Sequence, residues 1–389
     1  MRSISVAQRR ARLGVRHRLA AAGRTDDPLA VARSLTALHA TDPASVFLQV
    51  AARSPAAGPG HVEKALYDDR VLLRLLAMRR TMFVVPNDFL PALQAAVADP
   101  LAVKQRRTYG KYIAGAGLGG DDPDGWVRDV EESTHAALLR LGAATGAQLS
   151  AAEPRLRSRV VMAPGKSYES TTGITTWILV TLGCEGRIVR GRPNGSWVSS
   201  QYVWSPVETW LPEGVPSLPV DEARAEVVRR YLRTFGPATA VDVKWWTGWT
   251  AGEVKKALAG LDTAETDAGI VLADDLEPVP APEPWAALLP ALDATPMGWK
   301  ERDFYLDPGH VPALFDRNGN IGPSVWWDGR IVGGWGQDAD DAVVFRFLED
   351  AGSDARSAVA AEAERMTAFL DGVRITPRFR TPLERELSS

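Results

Sequence analysis

The chain has 389 residues, 45% of them hydrophobic and 24% charged; this is ordinary globular usage, which excludes a wholly disordered chain and leaves room for about two or three domains. With 45 basic and 48 acidic residues the formal net charge is -3, which excludes a uniformly basic nucleic-acid coat and an acidic tail, so any nucleic-acid site has to be a local patch. One cysteine, Cys184, excludes an internal disulfide and a cysteine-built metal cluster, and fits a reducing cytoplasm.

The first unit spans residues 1–97. Residues 5–21 read as a basic amphipathic helix with Arg9, Arg10, Arg12, Arg16 and Arg18. No apolar stretch follows it, so no signal peptide is expected, and no later run approaches the roughly 20 apolar residues of a membrane span. Pro28 opens a helix over Leu29–Ala40, which Asp42-Pro43 ends because proline disfavours helix in the residue before it. Val46–Ala52 and His61–Asp69 read as helical. Val71–Leu76 and Thr81–Val85 then form two strands joined at Met78-Arg79-Arg80. Helices followed by such a ribbon predict a winged helix.

The second unit, residues 98–215, repeats the theme. Helices are expected over Trp126–Leu141 and Thr171–Leu182. A hairpin follows, turning at Asn194-Gly195, where both residues accept positive φ. Its arms carry Arg187, Arg190 and Arg192. In the third unit, residues 216–280, Asp221 opens a helix that stops at Gly236-Pro237. Thr239 starts a short helix through Trp246, and Thr250-Ala-Gly-Glu253 is a capping box for a helix to Leu261. A strand over 268–273 completes a third helix-turn-helix with a wing. Pro278–Pro284 is a linker. The fourth unit, residues 285–389, has turn signals at Asn318-Gly319 and Asp328-Gly329, strands at Ser324–Trp327 and Val343–Phe347, a helix over Asp354–Leu370, and a strand over Val373–Arg378. The fold class read from this order is α+β: three tandem winged-helix domains and a C-terminal β-barrel-like domain.

Winged helices commonly bind DNA. Basic clusters at Arg9–Arg18, Arg79-Arg80, Lys104 with Arg106, Arg107 and Lys111, Arg187–Arg192, and Arg374 with Arg378 and Arg380 fit phosphate contacts; solvated surface charge is the other reading of each. His39-Ala40-Thr41-Asp42-Pro43 reads first as a helix end and turn. The same residues suit attack of water on a cationic sugar carbon, with His39 as acceptor or base near neutral pH and Thr41 holding the water. Asp274-Asp275 and Asp338, Asp340 and Asp341 read as acidic loops. Gly115–Gly120 lacks the lysine of a phosphate loop. No metal and no cofactor are expected.

Four stretches carry a resemblance: Leu38–Phe47 with Arg53; Met78–Pro86; Tyr231–Pro237 with Asp242, Trp246 and Gly248; and Trp326–Trp335. Over almost its full length the chain resembles the AlkZ-type winged-helix DNA glycosylases, which include the YcaQ/AlkX proteins. The resemblance implies three tandem winged helices and a β-barrel around a DNA channel. It also implies removal of N-alkylated purines, including crosslinked ones formed by genotoxic natural products. The family's usual motif is Gln, an aliphatic residue, then Gln or Asp; here His39 and Thr41 flank Ala40, and Asp42-Pro43 matches directly. The expected catalytic residues are His39, Thr41 and Asp42. Those expected at DNA are Arg53, Arg79, Arg80, Thr81, Arg187, Arg190, Arg192 and Gln201. The expected protein is a cytoplasmic monomer acting on damaged double-stranded DNA. A non-catalytic DNA-binding regulator or lesion sensor of the same fold is the alternative, and a domain for protein contacts alone is a third reading.

Overall fold

Helices and small antiparallel sheets alternate along the chain in a computed structural model that describes residues 2–389. The chain divides into two units. The first holds residues up to Leu72, Phe83–Pro86 and Arg224–Ser389; the second holds Leu73–Met82 and Asn87–Ala223. No helix among the described residues is long and apolar enough to cross a membrane.

Helix α1 (Val6–Arg16) starts at Ser5, whose hydroxyl accepts the Gln8 N–H at 3.2 Å. Its arginines do not form a phosphate patch. Arg12 is 3% exposed, and Arg12 and Arg16 both pair with Asp275, at 3.0 and 2.6 Å. Arg9 lies 3.6 Å above the Phe304 ring, and Arg10 donates to the Phe304 carbonyl at 2.7 Å. The basic stripe is therefore an internal face of the first unit.

Helix α2 (Pro28–Ser34) is capped by Asp27, with proline at its first position. The expected helix to Ala40 stops six residues early. Thr36 takes a φ of 65°, which a helix cannot absorb, and the chain leaves as strand β1 (Leu38–His39). Helix α3 (Pro43–Ala51) follows, buried on all sides from Ala44 to Ala51, Ser45 and Gln49 included. Then come α4 (Pro59–Glu63), extended by a π-turn over Lys64–Asp68, strand β2 (Leu72–Leu76) and strand β3 (Met82–Pro86). β1 pairs antiparallel with β3, Leu38 opposite Val84 and His39 opposite Phe83.

The second unit continues with α5 (Leu90–Leu93), α6 (Asp99–Gly115), α7 (Pro123–Leu141), α8 (Gly146–Ala152), the hairpin β4 (Arg159–Met162) and β5 (Ser170–Gly173), α9 (Thr175–Cys184), β6 (Ile188–Pro193) and β7 (Tyr202–Pro206). Val130, Leu138, Leu149, Leu156, Ile174, Leu182 and Trp204 meet in its core. The helix expected from Thr171 begins at Thr175 because Ser170–Gly173 pairs with Arg159–Met162 instead. The tight turn expected at Asn194-Gly195 is a wider loop. Asn194 N–H bonds Gln201 O at 2.8 Å, and the loop folds over its own buried Trp197.

Helix α10 (Val220–Phe235) leads to α11 (Ala240–Thr247) and α12 (Ala251–Ala259), each with a full capping box, from Thr239 with Asp242 and from Thr250 with Glu253. Gly248 ends α11 at φ 78°, a left-handed position that glycine takes without strain. Strands β8 (Thr263–Thr266) and β9 (Gly269–Leu272) form the following hairpin. One order thus recurs: helix, short strand or bridge, helix, helix, hairpin. Each time the leading strand meets the second hairpin strand: β1 with β3, Ala144 with Trp204 of β7, and Ala238 with Ile270 of β9.

The C-terminal part holds β10 (Ala286–Leu289), α13 (Val311–Leu314), β11 (Ser324–Trp327), β12 (Arg330–Gln337), β13 (Val343–Phe347), α14 (Gly352–Leu370) and α15 (Pro382–Leu387). The expected barrel does not close. Its strands make an open antiparallel sheet in the order β10-β11-β12-β13, and α14 packs across β10, β11 and β13, so apolar burial comes from a helix and not from closure. The strand expected over Val373–Arg378 is irregular. Two of its N–H groups go to side chains, Ile375 to Gln337 at 2.7 Å and Arg378 to Asp42 at 3.2 Å.

His17 shows how a buried polar group is satisfied here. Nε2–H donates to the Thr234 carbonyl at 3.2 Å, and Nδ1 accepts from the Thr295 hydroxyl at 2.8 Å. Burial, with the Arg53 charge adding to it, pushes the imidazole down to about 3. The folded protein keeps His17 neutral while the unfolded chain protonates it near pH 6.5, so stability is lost as pH falls from about 6.5 towards 3. The expected slope is about 1.4 kcal/mol per pH unit. Urea unfolding at pH 7, 6 and 5 should show a His17→Gln variant losing less stability per unit than the wild type; parallel losses would remove His17 as the cause.

Candidate active site

The motif at the end of β1 lies in the first unit. Leu38 and His39 point to opposite sides of the strand, as successive strand residues must. Leu38 is fully buried in the core, and the His39 ring stands edge-on to Phe83, with centroids 5.2 Å apart. His39 is 4% exposed. Thr41, two residues on, is half-buried.

Asp42 is the N-cap of α3, with Oδ1 accepting the Ala44 N–H at 3.2 Å and Oδ2 accepting the Arg378 N–H at the same distance. Desolvation raises its pKa, and the two backbone donors oppose that rise. Its carboxylate is thus occupied in holding α3 and the C-terminal segment. The neighbouring cavity, lined also by Ser45, Trp335, Gln337 and Glu384, has room for about one water molecule, far less than a purine needs.

Gln49, buried on α3, carries a role that the sequence reading missed. Its Nε2 donates to the His39 carbonyl at 2.9 Å and to the Ser45 carbonyl at 3.0 Å, and its Oε1 accepts the Ala294 N–H at 3.2 Å. It fixes the backbone at His39 from behind. The available signal was a single amide in a helix otherwise apolar but for Ser45.

Arg53 was expected at DNA and is not there. It is wholly buried, and all five guanidinium N–H groups are used. They reach the carbonyls of His17 and Gln49, both oxygens of Asp293 at 2.7 and 2.8 Å, and the Thr295 hydroxyl. A bidentate pair with no exposure leaves no donor for a phosphate.

The remaining expected DNA contacts lie in the second unit. Arg79 and Arg80 sit at the turn between β2 and β3 with φ of 53° and 59°. Two successive non-glycine residues in the left-handed region are costly, and the turn is held by Ala77 N–H to Thr81 O at 2.9 Å. Arg80 is exposed, while Arg79 and Thr81 are half-buried. Arg187 pairs with Glu132 at 2.7 Å on the face of α7. Arg190 lies about 5 Å over the rings of Tyr202 and Trp204, at 5.2 and 5.0 Å. Arg192 and Gln201 are exposed near the mouth of the β6–β7 loop.

A family model described as "DNA glycosylase AlkZ-like" matches residues 32–369. Among solved structures, the Streptomyces sahachiroi DNA glycosylase AlkZ is similar in fold, with a TM-score of 0.73 and 22% sequence identity over 96% of this chain and 99% of that chain. No curated protein matches the sequence.

Proposed function

The chain belongs to the AlkZ-like DNA glycosylase family, and from that membership we propose that it hydrolyses the N-glycosidic bond of N-alkylated purines in duplex DNA, bulky and crosslinked adducts included. The family match over residues 32–369 is the observation that carries this reading. DNA is the partner the family implies. The thrice-recurring element order supports three winged-helix modules in one chain, a common scaffold for duplex contact.

A purine alkylated at N7 or N3 already bears positive charge, so its departure needs no strong acid. Water attacks C1′, the C1′–N bond breaks, and its electron pair neutralises the purine. His39 accepts the water's proton or orients it by hydrogen bond, and the Thr41 hydroxyl holds that water. His39 ends β1 and Thr41 lies two residues on, with Gln49 bonded to the His39 carbonyl and Asp42 capping α3. His39 is nearly covered without DNA, so the mechanism requires that DNA binding uncover it.

The test is incubation of excess protein with duplexes carrying one N7-methylguanine or one bulky N7 adduct, followed by alkaline cleavage. Strand scission at the lesion is expected. Tight binding with no scission on either substrate would replace this reading with the non-catalytic regulator or sensor, for which a covered His39 is the specific observation.

The ribbon turn is the proposed backbone contact of the second unit. An Arg79→Ala/Arg80→Ala variant should bind DNA more weakly whatever the sequence, with the slope of log affinity against log salt falling by about two, since phosphate contacts carry no base code. An unchanged slope in a fluorescence-anisotropy salt titration would take the ribbon out of the interface.

A further inference from the structure

Most arginines of this protein are spent on carboxylates or carbonyls. Arg12, Arg16, Arg53, Arg106, Arg155, Arg187, Arg233, Arg365 and Arg380 all sit in ion pairs. One cleft of the first unit departs from this. It lies between the turn after α13 and the segment leading into α15, and it is lined by Arg317, Arg378, Arg380 and Arg385 with Phe315 and Phe379.

Only Arg380 of these four is neutralised, by a two-pronged contact with Glu384 at 2.8 Å. Arg317, Arg378 and Arg385 are exposed and form no salt bridge among the described residues. Of the acids at the cleft, only Glu386 is paired with an arginine outside it. Asp316 accepts the N–H groups of Asn318 and Asn320, and Glu386 pairs with Arg346. Arg317, Arg378 and Arg385 line this cleft against one carboxylate, Asp316, that amide donors hold ionised; the surplus of guanidinium groups, in a chain of net charge -3, makes a local anion site.

The cleft is also tied to the motif. The backbone N–H of Arg378 donates to Asp42, which caps α3 directly after Thr41. A ligand gripped by Arg378 is thereby held in fixed register with the β1–α3 turn.

We propose that this cleft binds the phosphodiester backbone of one DNA strand, with Arg317, Arg378 and Arg385 each meeting a phosphate, and so sets the register of the duplex on the His39–Thr41 turn. The inference rests on the DNA glycosylase reading for the identity of the anion. It places a positioning contact in the C-terminal segment, outside the three recurring modules.

The test compares the wild type with an Arg317→Ala/Arg378→Ala/Arg385→Ala variant in anisotropy titrations of a lesion-containing duplex between 50 and 200 mM salt. Each phosphate contact contributes about 0.9 to the slope of log affinity against log salt. Losing three lowers the slope by nearly three, so wild-type affinity falls about 40-fold more across that range than the variant's. An Arg356→Ala variant, altering an arginine paired with Asp350 outside the cleft, keeps the wild-type slope. Matching thermal melts of the variants show that folding is intact; an Arg385→Glu single variant supplies the same reading if the triple variant melts early. A triple-variant slope equal to the wild type overturns the proposal, whether or not base is released. A lowered slope with no base release by the wild type upholds the cleft while removing the glycosylase reading.

Discussion

Replacing Asp293 by asparagine should cost about 3–5 kcal/mol of stability. The change keeps the shape and removes the charge, leaving the Arg53 guanidinium wholly buried without its counter-ion. Breaking one half of such a pair costs more than the pair itself contributes, because the orphaned charge keeps its desolvation penalty. An Arg53→Met/Asp293→Leu double variant should therefore recover much of the loss. Guanidinium-chloride midpoints of the three proteins decide it: an Asp293→Asn variant within about 0.5 kcal/mol of wild type, the range of an ordinary surface change, would show that the pair carries little. The consequence extends to the candidate site. Arg53 also bonds the Gln49 carbonyl, and Gln49 holds the His39 carbonyl, so the charge pair stiffens the backbone on which the motif stands.

His39→Ala should slow single-turnover base release by about 10²–10⁴-fold, the usual worth of a positioned acid–base group. DNA affinity should stay unchanged, because phosphate contacts carry most of it. The two effects separate a chemical role from a structural one. His39 contacts Phe83 across the β1–β3 ladder, so a structural role would appear as a lowered melting temperature with a proportionate loss of both binding and release. Release that survives truncation of the side chain at full rate would remove His39 from the chemistry.

Much of the fold was legible because local signals and tertiary outcome agree. The capping boxes at Thr239 and Thr250 start helices where the sequence says they should, and Asp328-Gly329 makes the tight turn between β11 and β12, with φ of 44° and 81°. Failures occur where a long-range partner overrides a local preference. Leu38–His39 continues a helical pattern but pairs with β3, and Ser170–Gly173 pairs with β4. The sheet stays open because α14 covers it, a contact no local pattern encodes. Arginine-rich stretches misled for a related reason. Sequence shows the charge of Arg12, Arg16 and Arg53 but not Asp275 and Asp293, each more than 200 residues away, that absorb it. The motif at His39 was legible as a position; the commitment of Asp42 to a helix cap and to Arg378 became visible only in three dimensions.

The most direct test is base release by a His39→Gln variant alongside His39→Ala, each measured by mass spectrometry of the freed purine with DNA fully bound. If residue 39 works by presenting a hydrogen-bonding group to the attacking water, the carboxamide should keep release within about tenfold of wild type while alanine loses at least about a hundredfold. Equal loss in both variants, or no loss in either, would contradict the claim that the side chain at this turn handles the water.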